Sequence, residues 1–162
     1  MRKIILVGAA VAVAAALAIT GAATATTSTR TEHFSFIDTS NSPNSDTFSA
    51  IATGAFTAGG TAVLPTGKGT LRFSGGTIKV TDKPTGAPKT SANLKICLQT
   101  YAASATYKIV SGTGDYKGIS GSGKVTAKFT AVGPIVKGKC STTANTVASQ
   151  GIITASGPVS LP

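Results

Sequence analysis

The sequence predicts an all-β protein with a single domain, a closed barrel or a sandwich, preceded by an export signal. Three observations carry this reading. Apolar residues recur at every second position in one segment after another, and clusters rich in Gly, Pro, Ser, Thr and Asp separate those segments. Beyond residue 25 no segment shows the 3.6-residue period of an amphipathic helix. About eight such segments in a chain of 162 residues leave room for one core rather than two.

The chain opens on a targeting signature. Arg2 and Lys3 form a basic n-region, Ile4 to Ile19 are all aliphatic or small, and Thr20-Gly21 end the run. Ala23-Thr24-Ala25 then supplies the small-x-small site that signal peptidase accepts. A membrane-spanning helix needs about 18 or more apolar residues, and this Ala-rich run is shorter and weaker than that. Residues 1–25 are therefore read as a cleaved secretory signal peptide, not a stable membrane anchor. No Cys lies near the cleavage site and no Arg-Arg pair precedes it, which favours the general secretory route over lipoprotein or twin-arginine export. The expected divisions are signal peptide 1–25, flexible Thr-rich mature N-terminus 26–31 and barrel domain 32–162, in a protein secreted to the medium or the cell envelope.

The strands follow in order. In Thr47–Ala58 the even positions Phe48, Ala50, Ala52, Phe56 and Ala58 are apolar, which reads as one half-buried strand broken by Gly59-Gly60. A short segment Thr61–Leu64 runs into the turn Pro65-Thr66-Gly67. Leu71 and Phe73 alternate with Arg72, and Ile78 and Val80 alternate with Lys79. The inward parity switches across Gly75-Gly76, so a bulge or a tight hairpin is expected there. Leu94, Ile96 and Leu98 point one way, against Lys95, Cys97 and Gln99. Tyr107 and Ile109 flank Lys108, and Val125, Ala127, Phe129 and Ala131 alternate with Lys124, Thr126, Lys128 and Thr130. Val147–Val159 closes the series. Turns are expected at 38–46, 81–91, 112–123 and 133–138.

Fifteen Lys and Arg stand against five acids, a net charge of +10. The bases are dispersed (Lys68, Lys79, Lys89, Lys95, Lys108, Lys117, Lys124, Lys137), and several fall on the polar side of strands. Without a basic run or an aromatic RNA-type motif, a nucleic-acid partner is not expected. Weak attraction to anionic envelope polymers needs only net charge. Cys97 and Cys140 are the two cysteines of the chain. In an exported protein they imply one structural disulfide. The only histidine, His33, lies far from both in sequence.

Residues 112–123, GTGDYKGISGSG, hold five glycines around the hydrophobic pair Tyr116 and Ile119. Such a segment makes a compact turn that fixes strand register, with Gly112, Gly114 and Gly121 supplying backbone freedom. Tyr116 and Ile119 are expected to plug the barrel end, and Asp115 to cap backbone N–H groups. The stretch Val110–Gly121, together with Phe73–Val80, resembles the strand-turn-strand motif of the allene oxide cyclase and dirigent barrels, and is most similar to an uncharacterised exported bacterial branch. The resemblance spans about residues 45–160. It implies an eight-stranded antiparallel barrel with a central cavity.

Plant members of that superfamily cyclise an unsaturated epoxide or steer the coupling of phenoxy radicals, using acids and polar groups inside the barrel. Fold alone does not transfer these activities. Here Asp38, Asp46, Asp82 and Asp115 fall in predicted loops or strand edges, and Glu32 stands beside His33. Adjacent residues of a strand face opposite sides, so that pair is not expected to share a proton. Gly118–Lys124 (GISGSGK) and Gly133–Lys139 (GPIVKGK) match part of a phosphate loop. They are followed by Val125 and Cys140 instead of Ser or Thr, with no helix to follow. No nucleophile elbow, Cys-His dyad or metal-ligand cluster is legible either. No catalytic, cofactor-binding or metal-binding residue is assigned, and no cofactor is expected. The expected function is non-enzymatic binding of a small apolar ligand in the barrel, or of the envelope surface outside it. The alternative is a cyclase- or dirigent-like enzyme acting on a lipophilic substrate. The few aromatics and the interior Ala and Gly favour the first.

Overall fold

In the computed structural model, residues 28–38, 46–141 and 144–162 are described. The expected signal peptide lies outside them. Eleven strands are present among the described residues: β1 Thr29–Asp38, β2 Thr47–Thr53, β3 Ala58–Val63, β4 Lys68–Phe73, β5 Gly76–Pro84, β6 Lys89–Asn93, β7 Leu98–Gly112, β8 Ser120–Val132, β9 Ile135–Val136, β10 Lys139–Cys140 and β11 Ala148–Ser160. One 3-10 turn, Gly114–Tyr116, separates β7 from β8.

The main sheet runs β5-β4-β3-β2-β1-β11-β8-β7-β6, and β5 also pairs with β7. That last pairing closes an eight-stranded antiparallel barrel from which β6 is excluded. The length of β7 makes this arrangement work. Its 15 residues serve two partners in succession: Leu98–Ala102 pair with β6, and Ala105–Gly112 pair with β5. Closure leaves the eight barrel strands without a free edge to template aggregation.

Alternation is kept around the barrel. Phe34, Phe36, Phe48, Ala50, Ala52, Ala62, Leu71, Phe73, Ile78, Tyr107, Ile109, Ala155 and Val159 are buried inside. The outward positions carry mainly Thr, Ser and Lys, the reverse of a membrane-spanning barrel, whose apolar band faces out. Charge on this wall is one-sided. Outward residues of β4 to β8 include Lys68, Arg72, Lys79, Lys83, Lys89, Lys108, Lys124 and Lys128, whereas β1, β2, β3 and β11 present hydroxyl and aliphatic groups with His33.

Three sequence expectations are corrected, and one alternative is decided. β1 begins at Thr29, ahead of the expected domain start at residue 32. The strand expected over Thr47–Ala58 breaks at Gly54, and β3 runs straight through Gly59-Gly60. Gly54 has a φ of +137°, and a Cβ there would collide with the Thr31 carbonyl, so the chain turns across the barrel end at that point. Of the bulge or tight hairpin expected at Gly75-Gly76, the structure has the hairpin, with Phe73 opposite Gly76, and a register shift lies further on, at Lys79/Val80. Leu94 and Ile96 lie in a turn, not a strand, and both are exposed. The left-handed φ of +53° at Cys97, beside its disulfide, is incompatible with the extended chain that alternation suggested.

Candidate functional site: the barrel lumen and its buried carboxyl

The lumen is hollow at one end because small residues face inward there. Ala103 stands opposite Ala127, and Ala105 opposite Val125. The Phe129 ring lies against Gly151, where a side chain would displace it. The result is a cavity of about 550 Å³, walled by Phe36, Phe48, Leu71, Val80, Phe129 and Ile153. Its mouth is framed by Asp46, Pro65, Lys68, Asp82, Pro84, Pro88 and Tyr101. A smaller concavity of about 370 Å³ lies on the outer wall among Ser35, Ile51, Thr53, Lys124 and Thr154.

Aromatic rings close the opposite end. Phe56, on the segment joining β2 to β3, packs against Tyr116 with centroids 4.9 Å apart, and both meet Phe73 at about 6 Å. Ile119 is buried beside them. The Gly112–Gly123 segment is therefore a plug. Gly114 has a φ of +61°, and a Cβ on it would overlap the Gly75 carbonyl, so the turn seats backbone on backbone. The Asp115 amide donates to the Gly75 carbonyl at 2.8 Å. The first residue of the 3-10 turn receives no side-chain cap, and the Asp115 carboxylate lies over Gly75 instead of capping an amide.

Between plug and cavity lies Glu32, fully buried at 0 % exposure and in frame with Phe34 and Phe36 on the inner face of β1. Its Oε2 accepts a hydrogen bond from the Phe56 amide at 3.0 Å. Burial pushes the carboxyl above its ordinary value, against the opposing pull of the Phe56, Ala55 and His33 amides and of the His33 charge. Oε1 is buried with no hydrogen-bond partner among the described residues, and so is the Tyr107 hydroxyl. Burial, reinforced by Glu32, pushes Tyr107 up to about 12. Burial also raises Tyr116, with Asp115 and Glu32 adding to the effect. Tyr107 and Phe34 meet edge to face at 6.0 Å and form the cavity floor. Chemically this is an apolar chamber whose floor holds a phenol that stays neutral, above a carboxyl biased toward its neutral form. Both are hydrogen-bond donors in those states.

His33 is exposed on the outer face, so Glu32 and His33 face opposite sides, as strand geometry requires. Asp46 and Asp82 line the mouth. Cys97 and Cys140 form the expected disulfide, with Cα atoms 5.2 Å apart across a separation of 43 residues. It ties the β6–β7 turn to the β9–β10 hairpin, and the Gly133 amide, between β8 and β9, donates to the Cys97 carbonyl at 2.9 Å. Sequence reasoning put Tyr107 on the apolar face of its strand without giving its hydroxyl a role, and left Glu32 out of the lumen. The signal for Glu32 was present in its parity, which it shares with Phe34 and Phe36.

Fold and site define an eight-stranded antiparallel barrel with an apolar lumen and a buried acid beneath its floor. The chain matches no family model, no curated protein and no solved structure.

Proposed function

We propose that the chain is exported and that its barrel holds a small apolar molecule in the lumen without transforming it. The cavity carries this reading: about 550 Å³ lined mainly by Phe, Leu, Val, Ile and Ala falls within the range of ligand sites. The neutral Tyr107 hydroxyl in its floor would orient a ligand through one polar atom. Direct evidence would come from native mass spectrometry of the processed protein recovered from its host's medium. A copurified mass that organic extraction removes is expected. An identical mass before and after extraction, in protein that also fails to take up apolar probes, would contradict the reading.

A cyclase- or dirigent-like reaction, in line with the family resemblance, is the second reading, and Glu32 favours it. A buried carboxyl biased toward the neutral state, with no hydrogen-bond partner for Oε1 among the described residues, is suited to giving a proton or hydrogen bond to a ligand oxygen. Glu32 lies behind the floor rather than in the cavity wall, which places binding ahead of chemistry. The two readings part at Glu32→Gln. An enzyme would lose turnover and keep its ligand, while a binder would show no turnover in either form.

A further inference from the structure

The three most exposed large apolar side chains, Val147, Leu94 and Ile135, stand at one place on the molecule with Ile96 and Val136, while Val110 (59 %) and Ile51 (51 %) stand singly on the outer wall. Leu94 (68 %), Ile96 and Ile135 (68 %), Val136 and Val147 (69 %) all stand on the loops beside the lumen mouth. The disulfide and its neighbours hold them together. The Leu94 carbonyl lies 2.9 Å from Cys140 Sγ, and Cys140 pairs with Ile135. The Val147 amide donates to the Val132 carbonyl at 2.7 Å, and Val132 pairs with Leu98, next to Cys97. The crosslink thus fixes an apolar knob on a protein whose barrel wall carries mainly Thr, Ser and Lys, with single exposed aliphatic residues such as Ile51 and Val110 among them.

Cations are interleaved with these apolar residues. Lys95 sits between Leu94 and Ile96, and Lys137 and Lys139 follow Val136. Neither 89–99 nor 133–141 contains an acid. The acids at this end of the barrel are Asp46 and Asp82, on the rim of the mouth, and Asp38, which ends β1 beside Gly151. A surface made of apolar tips ringed by ammonium groups is complementary to an apolar layer beneath anionic headgroups. A second copy of the chain fits poorly, because an isologous contact would set these lysines against one another on a chain of net charge +10.

We propose that the disulfide-tied β6–β7 and β9–β10 loops dock the protein, mouth first, onto an anionic lipid surface, with Leu94, Ile96 and Ile135 entering the headgroup region. Docking there would bring the lumen to a lipid phase. It does not depend on the lumen reading, since vesicle binding and ligand uptake are measured separately.

The test is cosedimentation of the processed chain, with its intact mass showing loss of residues 1–25, with vesicles of phosphatidylcholine alone or mixed with phosphatidylglycerol. Binding is expected only where phosphatidylglycerol is present. The triple variant K95Q/K137Q/K139Q should bind about a hundredfold more weakly. Ile96→Asn with Ile135→Asn should lose about tenfold or more. All three variants, the control included, must melt as the parent does, which exposed positions allow. The control is K79Q/K108Q/K124Q, which removes the same charge from the outer wall and should bind within about twofold of the parent. Equal losses in the two lysine triples would mean that net charge alone attracts the protein, and would overturn the proposal. So would an Ile-dependent dimer in sedimentation equilibrium that does not bind vesicles.

Discussion

The Phe56 amide donates to Glu32 Oε2 at 3.0 Å, while the ring of the same Phe56 packs on Tyr116. One residue thus joins a buried carboxyl to the aromatic plug. The β2–β3 segment cannot lift off the barrel end without both stripping the carboxyl of its donor and opening the apolar cluster. Charging Glu32 in this setting is costly, and the pH dependence of stability should report it.

The folded protein binds the Glu32 proton more tightly than the unfolded chain, whose carboxyl keeps its ordinary value of 4.5. Stability from this group is then complete below that value and declines as pH rises through the raised folded value. Thermal melts across pH should show this decline in the parent and a flatter profile in Glu32→Gln, whose amide oxygen still accepts from Phe56. Matching profiles would mean that Glu32 ionises in the fold as it does in water.

Tyr107→Phe should leave the ligand-free protein as stable as the parent or more so, by up to about 1 kcal/mol. It deletes a buried hydroxyl that has no partner among the described residues. Chemical denaturation decides this. A loss greater than about 1 kcal/mol would reveal a hydrogen bond that the hydroxyl makes.

The Gly114 turn permits a sharper contrast. Gly114→Val places a branched side chain at a φ of +61° and into the Gly75 carbonyl, and should cost about 3 kcal/mol or more. Asp115→Asn, which keeps size and backbone bonding, should cost about 1 kcal/mol or less. A Gly114→Val protein with the parent's melting temperature would show that this turn does not set the register of β7 and β8.

Replacing Cys97 and Cys140 together by Ala should destabilise the protein by about 2–5 kcal/mol, because the unfolded chain regains the freedom of a 43-residue loop. Alkylation of the native protein with and without reductant checks the bond itself. Addition of alkyl groups before reduction would contradict it.

Much of this fold was legible from period-two alternation. Phe48-x-Ala50-x-Ala52, Leu71-x-Phe73 and Tyr107-x-Ile109 all bury the face that the pattern assigns them. The alternation failed where the chain leaves the sheet. Phe56 and Leu94 keep the frame of neighbouring strands, yet one caps the barrel and the other is exposed on a disulfide-bound turn. A crosslink and a turn override a pattern that burial alone produces. The lumen was harder to read, because a cavity arises from pairings such as Ala103 with Ala127, and register between strands distant in sequence is not written in either one. Glu32 was masked by its charge, which places an isolated carboxyl on the surface unless its frame with Phe34 and Phe36 is followed.

The most direct measurement of the central claim is titration of the processed protein with an apolar fluorophore that brightens on leaving water, compared with Ala127→Trp. Ala127 faces the cavity opposite Ala103, so an indole there fills the space a ligand would take. The account predicts saturable, one-to-one brightening in the parent and its loss in Ala127→Trp, with the melting temperature within a few degrees of the parent. Undiminished, saturable binding by a folded Ala127→Trp protein would place the apolar site elsewhere and contradict a ligand-holding lumen.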